Sequence, residues 1–327
     1  MQITALAGGV GGARFLRGLR DELAADATYG PTGSDPAQIT VIGNTADDVT
    51  LFGLRVCPDL DTLMYTLGGG IHEGQGWGRA DETYAVKDEL AAYGAQPQWF
   101  GLGDRDLATH IVRSQMLDQG YPLSAVTEAL CTRWEPGVRL LPMTDQRVET
   151  HVTIGEGSER RAVHFQEWWV RLHAAVPAHS IAPIGIDDAK PGPGVLEAIN
   201  EANVILLPPS NPIVSIGTIV AVPGIHDALA SAAAPVVGVS PIIGNAPVHG
   251  MADACLTALG LETSPSQVAR LYSRFLSGWL VAEEDLDAAG DVPDGVVVRG
   301  RPLLMSDPSA TQALARATFD LALELSA

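Results

Sequence analysis

A chain of 327 residues can bury a large core, as one sizeable α/β domain or two smaller ones. With 46% hydrophobic and 18% charged residues it reads as a globular enzyme, and a net charge of −19 argues against nucleic acid or anionic lipid as partner. Three scattered cysteines (Cys57, Cys131, Cys255) without a C-x-x-C, no basic and apolar leader and no membrane-length apolar run predict a zinc-free protein of the cytoplasm.

The first stretch, Ile3 to Ala7, is a short apolar run that predicts a buried strand. Gly8, Gly9, Gly11 and Gly12 follow, and Ala13 to Leu23 repeats apolar residues at helical spacing. A strand–turn–helix of this kind aims backbone N–H groups and a helix N-terminus at one spot, and glycine lets a phosphate approach closely. The alternative is a turn used only for strand–helix packing. The spacing fits neither common class: Arg14 stands where G-x-G-x-x-G needs its third glycine, and no Gly-Lys-Ser/Thr follows. An acidic protein would hold such an anion with amides, a few local Arg or Lys, or a divalent cation.

Gln38 to Gly43 predicts a second strand, ending in Asn44-Thr45-Ala46-Asp47-Asp48. Carboxylates at the carboxyl end of a parallel strand suit a metal ion or a substrate hydroxyl, although Asp is also a common helix cap. For Asp59 and Asp61, just before Thr62-Leu63-Met64-Tyr65, capping is the expected role. Residues 75–146 predict a helical insertion, with helices opening near Asp81, near Asp104 or Asp106, and at Ser124. Lys87 on its first helix is one of few basic residues among many acids. Trp77 and Trp99 could stack on a flat ligand, but packing of the insertion's core is the expected role.

Val148–Ile154 and Ala162–Gln166 predict a hairpin, and 183–186 a short strand. A helix over Val195–Ala202 precedes the apolar runs 203–207 and 235–239. These two strands end in Pro208-Pro209-Ser210-Asn211-Pro212 and Ser240-Pro241-Ile242-Ile243-Gly244, bringing Ser, Asn and rigid prolines to the same sheet edge. Helices are expected over 251–260, 266–276 and 309–325, with a late strand at 295–298 continued at 302–305. The whole predicts a single Rossmann-like three-layer α/β fold with a mostly parallel sheet.

Taken together, Gly8-Gly9-Val10-Gly11-Gly12-Ala13, Asn44 to Asp48, Leu102-Gly103-Asp104-Arg105-Asp106, Pro209-Ser210-Asn211-Pro212-Ile213-Val214-Ser215-Ile216-Gly217 and Val239 to Gly244 resemble the 2-phospho-L-lactate transferase family of coenzyme F-420 biosynthesis. The resemblance spans nearly the whole chain with the motifs in order. It implies a magnesium-dependent homodimer that moves a phosphoenolpyruvyl or 2-phospho-L-lactyl group from a guanosine-diphosphate adduct to the terminal ribityl hydroxyl of the deazaflavin Fo, releasing GMP. It further implies Asp48 and Lys87 at the deazaflavin, Asp48 as catalytic residue, and Asp47 and Asp48 at the metal. The nucleotide would lie against Gly8, Gly9, Gly11, Gly12, Ser210, Asn211, Ser215, Ser240 and Ile242, beneath an insertion covering the acceptor. Two other readings stand beside it: a nicotinamide-dependent Rossmann oxidoreductase, disfavoured by the missing third glycine, and a non-catalytic nucleotide-binding regulator.

Overall fold

The computed structural model describes residues 1–287 and 292–326. Strand β1 (Gln2–Ala7) leads directly into helix α1 (Gly9–Ala25), then β2 (Gln38–Gly43), a two-stranded hairpin of β3 (Val49–Leu51) and β4 (Leu54–Val56), and α2 (Pro58–Leu67). Three helices follow, α3 (Ala85–Ala92), α4 (Asp104–Asp118) and α5 (Leu123–Trp134), before β5 (Arg139–Pro142). Strands β6 (Glu149–Ile154), β7 (Arg161–His164) and β8 (Ala178–Ile184) form a separate antiparallel sheet. The remainder runs α6 (Val195–Asn200), β9 (Val204–Leu207), α7 (Ile216–Ala221), α8 (Ile225–Ser231) and β10 (Val236–Val239). A short pair, β11 (Ile242–Ile243) and β12 (Ala246–Pro247), precedes α9 (Ala252–Ala258), α10 (Pro265–Leu271), β13 (Leu276–Val281), β14 (Val297–Gly300) and α11 (Pro308–Ser326).

Seven strands build one sheet in the order β14-β13-β10-β9-β1-β2-β5, every neighbouring pair parallel. Strand β1 is an interior strand beside the central β9, and the chain builds outward from it first one way, through β2 and β5, and then the other, from β9. That is the doubly wound Rossmann order with a strand added at the far edge, and it reverses direction between β1 and β9. In open α/β sheets ligands bind beyond the carboxyl ends of the two strands at such a reversal. Strands β9 and β10 are buried at every residue, as two covered faces require. One face packs α1, α2, α5 and α11 through residues such as Phe15, Leu19, Leu63, Val126 and Phe319. The other packs α6 to α10 through Ile199, Ile219, Leu229, Leu256 and Val268.

The predicted architecture is the observed one, with local differences. Helix α1 begins at Gly9, so Gly9 to Gly12 form its first turn rather than a loop before it. Helix α10 stops at Leu271 rather than at 276, and Leu276 opens β13, a strand inside the sheet for which the sequence gives no expectation. The strand expected to continue over 302–305 is irregular, and β5 and β8 are respectively unforeseen and longer than foreseen. In the insertion the helices cap one another: Asp104 accepts from the Ala85 and Val86 amides of α3, and Glu82 from the Arg105 and Asp106 amides of α4. Helix α5 packs on α2 and β5, so it also serves as the crossover into the sheet. No helix among the described residues is long and apolar enough to cross a membrane.

Candidate active site

The glycine turn sits where the sheet reverses. Ser210, just past β9, donates its hydroxyl to the Gly8 carbonyl (3.0 Å) and accepts from the Gly8 N–H (3.3 Å), joining the ends of β1 and β9. A Cβ on Gly11 would lie 2.2 Å from the Pro209 carbonyl oxygen, and one on Gly12 2.6 Å from the Ser210 hydroxyl. On Gly8 it would meet Asp59 at 2.4 Å and Ser215 at 2.8 Å. Three of the four glycines are therefore required by contacts within the chain. Gly9 differs: its φ is +64°, and Asp59 at 3.7 Å is the only group near its missing Cβ. As the first turn of α1, these residues carry amides that have no carbonyl one turn back, and they carry the positive end of the helix dipole.

The loops after β9 and β10 are largely self-satisfied. Asn211 accepts from the Ile213 and Val214 amides and donates to the Cys255 sulfur. Ser240 donates to the Ile242 carbonyl and accepts from the Ile242 N–H, and both residues are wholly buried. Asn211, Ser240 and Ile242 thus hold loop shape, while Ser210 and Ser215 lie directly against Gly8.

Facing the glycines is a buried acid cluster. Asn44 ties it to the rest: its amide donates to Asp59 (2.9 Å) and the Val214 carbonyl (3.1 Å), and its oxygen accepts from Thr218 and Ala46. Asp59 also accepts from the Gly9 amide, yet burial still lifts its carboxyl to about 6. Burial, then Asp59 and Asp48, push Asp47 well above the ordinary carboxylate range. Asp48 is 1% exposed and is raised to about 7 by burial, with the Arg55 guanidinium opposing the shift. Arg55 approaches it to 3.2 Å as a charge contact without hydrogen-bond geometry, and among the described residues neither Asp48 oxygen, nor Asp47 Oδ1, has a hydrogen-bond donor. Unpaired polar atoms so deep are costly, and ordinary interiors avoid them.

Asp59 and Asp61 are not caps, contrary to the expectation from sequence. Asp59 turns to the glycines, and Asp61 holds Arg113 of α4 in a buried bidentate pair that includes a 3.1 Å contact. Arg113 also donates to the Arg55 carbonyl. The small antiparallel sheet meets the acids too: the Thr150 N–H donates to the Ala46 carbonyl, and His164 lies 3.1 Å from the Asp48 carbonyl. Arg55 links Asp48 to Glu149 (3.5 Å).

A family model described as 2-phospho-L-lactate transferase CofD matches residues 3–292. The chain belongs to that family. It is 66% identical over 99% of both chains to a phosphoenolpyruvate transferase of Thermobifida fusca, and 63% identical over the same shares to one of Streptomyces coelicolor. One from Mycolicibacterium smegmatis is 56% identical, covering 98% of this chain and 99% of its own. Among solved structures, the crystal structure of protein BH3568 from Bacillus halodurans superposes with a TM-score of 0.60 at 16% identity, over 97% of this chain and 99% of that one, a likeness of fold. The chain is a transferase, as the motifs had implied.

Of the family's expected positions, the structure gathers Gly8 to Gly12, Ser210, Ser215 and Asp47 around one crevice, with Asp48 at its back. Lys87 stands elsewhere, 5.7 Å from the Tyr84 ring in a narrow apolar recess with Phe52, Leu90, Phe100 and Leu102. Asp48 immediately precedes β3 and Phe52 opens the turn just past it, so the length of β3 separates the two places. Of the two tryptophans expected to pack, Trp99 does so, edge-on to Phe100, whereas Trp77 is 50% exposed. Asn44, Arg55, Asp59 and Thr150 were missed as parts of the site. Their partners lie 15 to 174 positions away, although the apolar position preceding each acid of Asp59-x-Asp61 could have signalled a buried pair.

Proposed function

We propose that this chain transfers a phosphoenolpyruvyl group from a guanosine-diphosphate adduct to the terminal hydroxyl of the deazaflavin Fo, releasing GMP, as a step of coenzyme F-420 biosynthesis. The observation that carries this reading is the pairing, at the reversal of a doubly wound sheet, of the amide end of α1 with buried carboxylates whose oxygens lack donors among the described residues. The printed names of relatives at 55 to 66% identity favour the enolpyruvyl over the lactyl donor. Amides of the first turn of α1 hold the diphosphate, and Ser210 fixes the turn that presents them.

Magnesium fits this donor set. Among the described residues no three His, Cys, Asp or Glu form a ready-made cage, but magnesium takes one or two carboxylates and completes its shell with water and phosphate oxygens. Asp47, with its orphaned oxygen, and Asp59, beside the Gly9 amide, would hold it, and the ion would neutralise charge developing on the phosphates. Asp48 orients the acceptor hydroxyl and takes its proton, for which a carboxyl near 7 is well matched. A hydroxyl reaches it only after a neighbouring side chain moves, because Asp48 is closed to solvent.

The experiment supplies Fo, the enolpyruvyl guanosine-diphosphate adduct and magnesium, and follows GMP release by chromatography. GMP formed only with Fo present supports the reading; adduct hydrolysis indifferent to Fo, or turnover with NADH instead, would reject it.

A further inference from the structure

The segment after α2 carries glycine at positions 68, 69, 70, 74, 76 and 78 and takes no part in the site described above. It folds into a closed loop. Ile71 and Arg79 pair as an antiparallel bridge, and the amides of His72, Gly76 and Ala80 donate to the carbonyls of Gly78, His72 and Gly70. Its base is pinned where the Arg79 guanidinium lies 5.0 Å over the Trp134 ring and donates to the Arg105 carbonyl. Its tip is pinned to α1: Arg14 donates to the Glu73 carbonyl (3.3 Å), and Arg17 pairs with the Glu73 carboxylate. At Gly76 a Cβ would come within 2.6 Å of a Val10 methyl. Val10 lies between Gly9 and Gly11, so the tip touches the anion cradle itself.

Trp77 is the next residue. Half of it faces solvent, and none of the ring contacts among the described residues involves it. It stands between two glycines in the left-handed region, Gly76 at φ +77° and Gly78 at φ +68°, the latter with open space around it. An indole held out in this way covers no core, and its apolar face is available to a flat partner. One residue step, about 3.8 Å, separates its Cα from the glycine that packs on Val10, so the ring starts at the rim of the cradle.

The loop lies on the face of the sheet that carries α1 and α2, the side from which the inserted helices and Lys87 arise. The loops after β9 and β10 lead instead into helices of the other face. We infer that Trp77 is a stacking platform for the planar ring of the acceptor, holding the deazaflavin while its hydroxyl reaches the cradle. This rests on the transferase reading above and adds to it a specificity residue on a loop that the family motifs do not touch.

The test titrates the full-length protein with Fo, read by Fo fluorescence, and separately with GDP by calorimetry, using wild type, Trp77→Phe and Trp77→Ala. A lost aromatic stack should weaken Fo binding by Trp77→Ala about tenfold or more, with Trp77→Phe between, and leave GDP binding within about twofold. Because the indole is on the surface, both variants should melt where the parent does, and Trp77→Phe carries the comparison if Trp77→Ala does not fold. Unchanged Fo affinity in the variants overturns the assignment alone. Lost GDP affinity with Fo intact gives the ring to guanine and overturns it as well. A wild-type protein that fails to bind Fo sinks the transferase reading, and this inference with it.

Discussion

The two sides of the crevice solve opposite problems. On the glycine side the loop side chains are satisfied within the chain: Ser210 closes on Gly8, Asn211 and Ser240 close on their own loops, and Gly8, Gly11 and Gly12 leave room for Asp59, the Pro209 carbonyl and the Ser210 hydroxyl. On the acid side, three carboxyls are buried together with pKa values pushed upward, and those of Asp47 and Asp48 carry oxygens that lack donors among the described residues. The glycine side is finished before any ligand arrives. The acid side is incomplete, and a cation and a hydroxyl supply what it lacks. Substitutions on the first side should therefore be felt in stability, and those on the second in turnover.

The largest expected effect breaks the acid side. Asp48→Asn keeps the shape and removes the charge, so turnover should fall about 10²- to 10⁴-fold while GDP affinity measured by calorimetry survives. Near-normal turnover would remove Asp48 from the chemistry. Next comes the glycine side: Gly11→Val drives a branched side chain into the Pro209 carbonyl and should cost about 3 kcal/mol. The loss should appear in denaturant melts with no nucleotide present. If stability is intact and only GDP binding fails, Gly11 faces the ligand rather than the chain.

A third effect sharpens the contrast through pH. Asp48 is held near 7 in the folded chain against about 3.9 unfolded, so the fold prefers it protonated. That contribution is fully present below about pH 4 and is lost as pH rises through 7. Asp48→Asn should therefore be the more stable protein at pH 8, by on the order of 1–3 kcal/mol, and no more stable than the parent at pH 4. Melting curves at the two pH values decide it, and a difference independent of pH would contradict the burial argument. The smallest effect is Ser210→Ala, which removes the bridge to Gly8 and should cost about 1 kcal/mol in the same melts, with turnover changed far less than in Asp48→Asn.

Much of this was legible in the sequence where the signal is local. The apolar runs of β1, β2, β9 and β10, the glycine turn and the strand-end serines all announce themselves within a few residues. Strand β13 did not, because Leu276 follows α10 after four residues and an apolar run that short suits helix and strand alike. Asp59 and Asp61 were misread for a related reason. Acids at a helix start normally cap it, and only the fold brings Gly9 to one and Arg113 to the other. The small sheet reaches Asp48 through a backbone bond from Thr150 to Ala46, through His164 at the Asp48 carbonyl and through Glu149 on Arg55, contacts for which no local residue pattern exists.

Strand β1 pairs on one side with β2 and on the other with β9, whose residues 204–206 lie some 200 positions later. The two flanks consequently become available at very different times during synthesis. At roughly 5–20 residues per second, the ribosome needs about 8–32 s to go from one to the other. For that interval an interior strand of the finished sheet is an open edge, with its backbone donors and acceptors unpaired on one side. Nascent chains halted before β9 should be cut by protease within β1, and those halted well past β10 should resist. A protein whose first strand ends up inside its sheet must wait for its second half before that strand has both of its neighbours.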